Sequence, residues 1–467
     1  MIWHGSDVAR QRVGEDLILE GLFVACFLLL GANAMQDKKI RADATADGRR
    51  WIQLSLGFIA MMAISSPQYV WTLFIKSFET TTGAHLAAVQ VTISVLIVVQ
   101  TWLSPVQGWL IDRFGPRLLI TLGAGLSGLG WVAAAYVTNI YALYGTYGLL
   151  CGLGTGFVYV GVVGLMVRWF PERRGFAAGI VAAGYGFGAM ATTFPIADMM
   201  KKSGYQHTLV VFGLVLGLVG VLASLFLLSP KPEDLPAGTV SQSALSGVAP
   251  MAMLASPIFW LMFVMMAMMA TGGLMVVTQF AGFAKEFGVG NALVFGMAAL
   301  PLALTFDRIT NGLTRPFFGW VSDKIGRENT MALAFGLEAV AITLLLSFRH
   351  DPAMFVVMSG VVFFGWGEIF SLFPSTLTDT FGAKFATTNY GFLYISQGVG
   401  AIFGAPLAAL LHDAVGSWLP VFGIVIGLDL LTALLALLVL KPLRAAKRPK
   451  FEGAEAGSSS AAPVTAG

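Results

Sequence analysis

Long apolar runs recur along the whole chain, separated by short polar stretches. Each run is long enough to cross, as a helix, a hydrocarbon core roughly 30 Å thick. The runs lack the strict alternation of apolar and polar residues that marks membrane barrel strands. Twelve spans are predicted, at 51–75, 86–110, 118–137, 140–166, 175–199, 207–229, 256–281, 290–317, 330–348, 353–375, 387–411 and 417–440. The sequence therefore predicts an all-α polytopic membrane protein embedded in a lipid bilayer.

The composition agrees with a membrane protein. Hydrophobic residues make up 57% of the 467 residues and charged residues 11%, whereas soluble domains have about 45–50% and about 25%. Cys26 and Cys151 both lie in apolar runs, so neither a disulfide framework nor a metal site is indicated. The sequence contains no Walker phosphate loop and no nucleophile–base arrangement. We therefore expect no cofactor, no metal and no nucleic-acid partner.

The distribution of Lys and Arg predicts the orientation. With the stretch from Met35 placed inside, 19 of the 28 Lys and Arg residues lie in cytoplasmic segments; the five outside are Lys76, Lys201, Lys202, Lys285 and Arg349. Cytoplasmic loops of membrane proteins carry such an excess of bases. We expect a multi-pass protein of a bacterial-type inner (plasma) membrane with both termini in the cytoplasm.

The segments between spans predict how the chain is divided. A Pro-, Gly- and Ser-rich stretch at 230–255 reads as a cytoplasmic linker. It separates six-helix halves at 51–229 and 256–440. The Ala- and Ser-rich tail at 441–467 is predicted to be disordered and cytoplasmic.

The leader at 1–50 contains a further hydrophobic segment, Leu17 to Met35, outside the twelve-span pattern. Three interpretations remain open: a signal-like segment, a thirteenth helix, or translated sequence upstream of the true start. We favour the third, with Met35 as the start, because the basic stretch that follows suits a cytoplasmic leader.

One loop phrase occurs once in each half. Residues 108–115 and 319–326 share Gly, Trp, an acid, a base and Gly in the same order, and Pro105 and Pro316 each precede their copy by three positions. A single copy would suit any tight loop, but two copies in register indicate duplication, which in membranes is typical of transporters. The glycines permit close helix approach and the acid can face a base or a helix N-terminus. The phrases predict a conformational latch formed by Gly108, Asp112, Arg113, Gly319, Asp323 and Lys324.

Other phrases make the chain similar to a known family. They run from Gln68 to Leu73, Arg168 to Pro171 with Arg174-Gly175, Ala182 to Gly186, Arg315 to Gly319, Leu372 to Ser375, and Asn389 to Phe392. With the loop phrase, they make the chain resemble the major facilitator superfamily and, more narrowly, the oxalate/formate antiporter family. The resemblance extends from about Trp51 to Leu440 and implies small carboxylates as substrates.

Arg315 is the main candidate for a substrate ligand. Arg308 and Asn311 precede it by seven and four residues, so the three share one helical face that would line a polar cavity. The resemblance implies that the arginine of the Arg-Pro-Phe phrase contacts a substrate carboxylate, which a guanidinium can bind bidentately. The alternative is a residue that snorkels from the loop end of its helix.

Gln397 departs from the family's pattern. The oxalate-transporting member has a lysine shortly after the Asn-Tyr-Gly phrase, where this chain has Gln397. With one positive charge missing, a dianion such as oxalate would be less fully compensated, although Arg308 could supply some charge. Gln397 can still donate hydrogen bonds to a monocarboxylate such as formate, lactate or pyruvate. The sequence therefore predicts small carboxylates but leaves their charge open.

Two acids lie within predicted spans, where ionised groups are costly and often functional. Asp307 either neutralises Arg308 or another base, or takes part in proton coupling. Glu368 is the sharper candidate for proton coupling because no base accompanies it in its span.

Aromatic residues at Tyr69, Trp71, Tyr159, Trp366, Phe370 and Tyr394 are candidates for the cavity wall. Packing or an interfacial belt is the ordinary interpretation of a membrane aromatic. The resemblance places aromatics facing the substrate at Tyr69, Trp366 and Tyr394. Gln68, beside Tyr69, either adds a donor to the site or satisfies a neighbouring helix.

These features favour a secondary transporter of small carboxylate anions that works by alternating access as a monomer. The first alternative is a proton-coupled monocarboxylate symporter, with protons as a second transported species. A transporter-like membrane sensor is a distant alternative. A membrane enzyme is disfavoured because the sequence offers no catalytic constellation.

Overall fold

The computed structural model describes residues 47–235 and 247–447. Eight helices in these residues are long and apolar enough to cross a membrane, or ten if each of two bent helix pairs is one span. The hydrophobic segment Leu17 to Met35, the centre of the linker and the end of the tail lie outside the described residues.

The helices are α1 (Asp47–Tyr69), α2 (Trp71–Thr82), α3 (Leu86–Trp102), α4 (Ser104–Phe114), α5 (Pro116–Ala134), α6 (Ile140–Trp169), α7 (Arg174–Leu225), α8 (Pro257–Glu286), α9 (Ala299–Ile325), α10 (Arg327–Ser347), α11 (Pro352–Phe364), α12 (Ile369–Phe381), α13 (Ala386–Val415) and α14 (Leu419–Ala446). A short helix, Pro250–Leu254, precedes α8. A two-residue hairpin, β1 (Leu293–Val294) with β2 (Met297–Ala298), precedes α9.

The helices follow the predicted spans, with breaks that the apolar pattern does not reveal. Helices α1 and α2 form one span bent by 47°, and α3 and α4 form another bent by 47°. Pro105 is tolerated at the start of α4 because proline lacks an N–H, and N–H groups in the first turn of a helix have no acceptor within the helix. Helix α7 covers two predicted spans. Gly204 interrupts it between them with φ +79°, a conformation that glycine adopts without strain. All twelve predicted spans thus coincide with helical segments.

Three predicted boundaries differ from the structure. The eighth span was placed at 290–317, but α9 begins at Ala299 because the hairpin occupies the preceding residues. The last helix continues past 440 to Ala446, where Arg444 donates to the Thr380 hydroxyl at 2.7 Å and pairs with Glu328. The leader's end is also structured, since Arg50 is buried and donates to the Trp169 carbonyl at 3.1 Å.

The two halves meet through small residues at equivalent positions. Helix α9 packs on α7, and α13 packs on α4. A Cβ added at Gly179 would lie 2.6 Å from the carbonyl carbon of Arg315, and one at Gly391 would lie 2.6 Å from that of Ser104. Such contacts let helix backbones approach closely. Arg315 and Ser104 thus occupy matching places on the boundary between the halves.

Candidate functional site

Arg315 is a buried cation at the boundary between the halves. Its side chain lies in α9, and the residue is 2% exposed. Nη1 donates to the Ala182 carbonyl of α7 at 2.6 Å, and Nη2 donates to Asn311 Oδ1 at 3.1 Å. Within residues 47–235 and 247–447, no carboxylate lies within 4.0 Å of its nitrogens. The guanidinium is therefore held by neutral acceptors and keeps its charge uncompensated by a contacting acid.

An aromatic cluster surrounds this arginine. The guanidinium carbon of Arg315 lies 4.7 Å from the ring centroid of Phe370, a cation–π distance. Tyr159 of α6 stacks on Tyr394 of α13, with centroids 4.8 Å apart, and meets the Phe370 ring at 6.2 Å. Gln100 Nε2 donates to the Tyr394 hydroxyl at 3.0 Å. Rings from both halves thus form one compact cluster, which contacts the cation through Phe370.

Tyr69, Gln68 and Trp366 lie at the edge of this cluster. Tyr69 is 39% exposed, and its ring lies 5.4 Å from that of Tyr185. The Tyr185 hydroxyl donates to Gln68 Oε1 at 2.7 Å, and its ring lies 5.3 Å from Tyr159. Trp366 meets Phe370 at 6.3 Å and donates its indole N–H to the Met269 carbonyl at 3.0 Å. The structure therefore links these residues to the ring system around Arg315.

Trp71 belongs to a different cluster. Its ring lies 4.8 Å from Tyr147, and its N–H donates to Gln90 Oε1 at 3.1 Å. Both partners are in the N-terminal half, so Trp71 supports packing there.

Arg308, Asn311 and Gln397 differ in their surroundings. Asn311 contacts Arg315, as the shared helical face predicts. Arg308 is exposed and forms no ion pair with Asp307 within 4.0 Å in the described residues. Gln397 is partly buried in α13, one turn beyond Tyr394, and its Oε1 has no hydrogen-bond partner in the part of the chain described.

Four acids are buried in the C-terminal half. Asp307 is 4% exposed and Glu368 is fully buried. Glu368 lies at the break between α11 and α12, and neither of its carboxylate oxygens has a hydrogen-bond partner among the described residues. Glu338 in α10 and Asp429 in α14 are buried as well, at 1% and 0% exposed. The signal that singled out Glu368, an acid inside an apolar span, would also have found these two residues.

The acids of the two repeated loop phrases contact the opposite half. Asp112 Oδ2 accepts hydrogen bonds from the backbone N–H of Thr388 at 2.9 Å and from its hydroxyl at 2.7 Å, in the first turn of α13. Asp323 accepts from the backbone N–H groups of Gly175 at 3.0 Å and Phe176 at 2.9 Å, in the first turn of α7. A carboxylate at a helix N-terminus satisfies unpaired N–H groups and the helix dipole. Each half therefore caps a helix of the other.

The leading glycines of the phrases lie beside the same helix starts. A Cβ at Gly108 would lie 2.6 Å from the Thr387 carbonyl oxygen. At Gly319 it would collide with the Gly175 carbonyl oxygen. Any larger residue would push the two halves apart at this end of the molecule.

The bases near these acids are not the ones in the phrases. Arg113 stacks over Trp109, 5.3 Å from its ring centroid, and Lys324 is exposed without an ion-pair partner in the described residues. Instead, Arg168 lies 3.8 Å from Asp112, and Arg327 pairs with Asp323 at 2.6 Å. Neither arginine was predicted to belong to the latch. Arg327 lies one helical turn after Asp323, whereas Arg168 lies at the far end of α6, beyond α5.

A further ion pair crosses between the halves. Arg174 at the start of α7 donates to Asp379 Oδ1 at 2.7 Å, and Arg327 donates to Asp379 Oδ2 at 2.8 Å. Asp379 thereby joins Arg174 of the N-terminal half to Arg327, which in turn pairs with Asp323 of the second loop phrase.

Comparisons with known proteins agree with this architecture. A family model described as Major Facilitator Superfamily matches residues 54–307 and 301–466. The oxalate:formate antiporter of Oxalobacter formigenes is 34% identical over 373 residues, covering 79% of this chain and 86% of that protein. An uncharacterized MFS-type transporter of Escherichia coli is 28% identical, over 76% of this chain and 86% of that protein. Monocarboxylate transporter 13 of Bos taurus is 24% identical, over 81% of this chain and 86% of that protein.

Proposed function

This chain belongs to the Major Facilitator Superfamily, and we propose that it is a secondary transporter of small carboxylate anions. The observation that carries the proposal is Arg315, buried at the boundary between the halves without a contacting acid. A buried charge is stable only when it is compensated. A transported carboxylate would supply that compensation, and its two oxygens fit the donor fork of a guanidinium.

The aromatic cluster supports substrates of small size. Tyr159, Tyr394 and Phe370 are each at most 6% exposed and lie close to Arg315 or to one another. Rings packed this tightly leave space for few substrate atoms, while polar groups such as the Gln397 amide can orient them. Selection by size would come from the rings and selection by charge from Arg315.

We propose alternating access as the mechanism, with the repeated loops as the latch. The end of the molecule that carries the two loop phrases is called the loop side. The halves are held together there by the Asp112 and Asp323 caps and by the Arg174–Asp379 pair. Breaking them would let the halves separate there, while the helices around Arg315 keep the anion near the midplane. By the distribution of Lys and Arg, the loop side is the cytoplasmic side.

Anion exchange is the first candidate mode, and proton-coupled monocarboxylate uptake is the second. The 34% identical relative is named as an exchanger of oxalate and formate. The second mode is favoured by Gln397, which leaves one fewer positive charge for a dianion, and by the buried carboxyl group of Glu368. Monocarboxylate transporter 13 is a more distant relative.

Purified protein in proteoliposomes tests both modes. Labelled oxalate, formate, lactate and pyruvate would be supplied with and without an imposed pH gradient. Exchange requires that an internal anion stimulates entry without a gradient, whereas symport requires that the gradient drives net entry. Binding of these anions without any flux would overturn the proposal and favour a sensor.

A further inference from the structure

Three buried acids form a cluster behind the helix break. Glu338 of α10 packs against Gly365, three residues before Glu368 in the break between α11 and α12, and Asp429 lies in α14, which packs against α10. The three residues are 0–1% exposed, and both oxygens of Glu368 and of Asp429 lack a hydrogen-bond partner in the described residues. Glu338 Oε2 lacks one as well. Three buried carboxyl groups therefore lie on neighbouring elements, and most of their oxygens have no partner among the described residues.

Packing alone does not require an acid at the position of Glu338. The offset of 211 that aligns Gly108 with Gly319 also aligns Gly154 with Gly365 and Ser127 with Glu338. A Cβ at Gly154 would lie 2.9 Å from the Ser127 Cα, and one at Gly365 would lie 3.0 Å from the Glu338 Cα. The same helix contact is thus made in the N-terminal half by a neutral residue. The C-terminal half carries an acid at that place, as it carries Arg315 where the other half has Ser104.

The cluster adjoins the helix that holds Arg315. Residues 365–368 separate α11 from α12, and Glu338 packs against Gly365 on one side of this break. On the other side, a Cβ at Gly367 would lie 3.1 Å from Asn311 Nδ2, an amide nitrogen without a partner among the described residues. Arg315 lies against the same region, with its guanidinium carbon 4.7 Å from the ring centroid of Phe370, two residues after Glu368. Interrupted helices of this kind line the sites of many transporters.

Few other charged groups face the cluster. Helix α11 has no titratable residue. On the remaining elements packed against α10 and α14, the charges are Arg315 and, nearer the helix ends, Asp307, Arg308, Asp323, Lys324, Arg327, Glu328, Asp379, Lys285, Glu286, His412, Asp413, Lys441 and Arg444. Of these, Arg315 lies beside the break that carries Glu368, where its guanidinium contacts the Phe370 ring.

We propose that Glu338, Glu368 and Asp429 form a proton-binding site that is coupled to occupancy of Arg315. Ionised carboxylates that share a site without donors repel one another, so at least one proton stays bound. A metal cation is not the expected ligand, because no group of three or more His, Cys, Asp or Glu in the described ranges is arranged to hold one. When an anion compensates Arg315, Glu368 loses the stabilisation of its neighbouring cation and the proton affinity of the cluster rises.

Infrared spectroscopy of the full chain in lipid tests the proton site without relying on transport. The wild-type protein at pH 7 is expected to show the C=O stretching band of a protonated carboxyl group that is shielded from water. Glu338→Gln and Asp429→Asn should each reduce or shift this band. Asp307→Asn is the matched control, because Asp307 is a buried acid of the same half outside the cluster. When it is combined with either cluster variant, the change in the band should equal the sum of the two single changes. A missing wild-type band, or a band unchanged in both cluster variants, would overturn the proposal.

The coupling to Arg315 rests on the proposed function and has its own readout. Formate is added to lightly buffered protein with a pH indicator, and proton uptake per bound formate is measured. Glu338→Gln and Asp429→Asn should lower that uptake at least twofold while formate still binds. Unchanged uptake in both variants would refute the coupling. Failure of the wild type to bind any of the four carboxylates would instead refute the proposed function, and the infrared band would still decide the proton site.

Discussion

Asp112 holds Thr388 across the boundary between the halves, accepting hydrogen bonds from its backbone N–H at 2.9 Å and its hydroxyl at 2.7 Å. Asp323 makes the equivalent contact in the opposite direction, to the first turn of α7. The two loop phrases therefore form reciprocal caps, in which each half completes a helix of the other. Because both caps lie at one end of the molecule, they hold the halves together there, as the proposed alternating-access cycle requires of one of its conformations.

Removing one cap should weaken closure at the loop side. Asp112→Ala deletes the acceptor for two hydrogen bonds, and loss of a helix cap costs about 0.5–2 kcal/mol. Spin labels at Leu118 and Lys384, exposed residues of different halves, would then report a larger population of long distances. Arg113→Gln should have a smaller effect, because Arg113 stacks within its own loop. Equal effects of the two substitutions would contradict the cap assignment.

Adding a methyl group at Gly108 should block close approach of the halves. In Gly108→Ala the new Cβ would lie 2.6 Å from the Thr387 carbonyl oxygen, well inside normal contact. We expect strongly reduced carboxylate flux in proteoliposomes with the protein still folded. Gly336→Ala is the matched control, since a Cβ there meets no atom within 4 Å. If both variants transported at the wild-type rate, the tight contact would have no role in the cycle.

Replacing Arg315 should weaken anion binding. Arg315→Lys keeps the charge but loses the planar donor fork, and Arg315→Gln loses both. Hydrogen bonds to charged groups contribute about 1.5–3 kcal/mol, so Arg315→Gln should raise the Kd for formate or oxalate by roughly 10–100-fold. Isothermal titration calorimetry of the purified variants measures this. A Kd within twofold of wild type in Arg315→Gln would remove Arg315 from the site.

Gln397→Lys should change the preference between substrates of different charge. A lysine one turn beyond Tyr394 would add a second cation to the region of Arg315 and compensate a dianion. The ratio of oxalate to formate affinity should rise by about tenfold, equivalent to about 1.4 kcal/mol. Competition of each anion against labelled formate gives this ratio. Gln397→Met, which adds no charge, should not raise it.

Glu368→Gln should separate the two transport modes. The substitution keeps the shape of a buried side chain that has no hydrogen-bond partner on its oxygens in the described residues. If Glu368 carries the coupled proton, gradient-driven uptake should fall while exchange of one anion for another continues. Parallel measurements with and without a pH gradient check this, and an equal loss of both activities would indicate a structural role.

The fold was predictable because apolar runs long enough to span a membrane leave few alternatives to helices. The repeated phrases also indicated the duplication. The apolar pattern did not reveal where spans break, although Pro67 and Pro105 lie beside the bends and proline is a common cause of kinks. The late start of α9 was missed because the hairpin before it contains residues as apolar as Leu293 and Met297.

The site was predictable only in part. The contact between Arg315 and Asn311 followed from helical spacing. The partners of Asp112 and Asp323 lie 276 and about 147 positions away and could not be read from local patterns. The phrases left open whether each acid faces a base or a helix N-terminus. In the structure each acid contacts a helix N-terminus and an arginine outside the phrases, Arg168 or Arg327. The roles of Arg315, the aromatic cluster and the latch in transport stay predictions.

The central claim is that Arg315 binds a small carboxylate that the protein then carries across the membrane. The most direct test is entry of labelled formate into proteoliposomes loaded with unlabelled formate, compared between wild type and Arg315→Gln. We expect rapid exchange by the wild type and loss of at least nine-tenths of it, about 1.4 kcal/mol of binding or transition-state stabilisation, in the variant. Exchange at the same rate in both proteins would contradict the account.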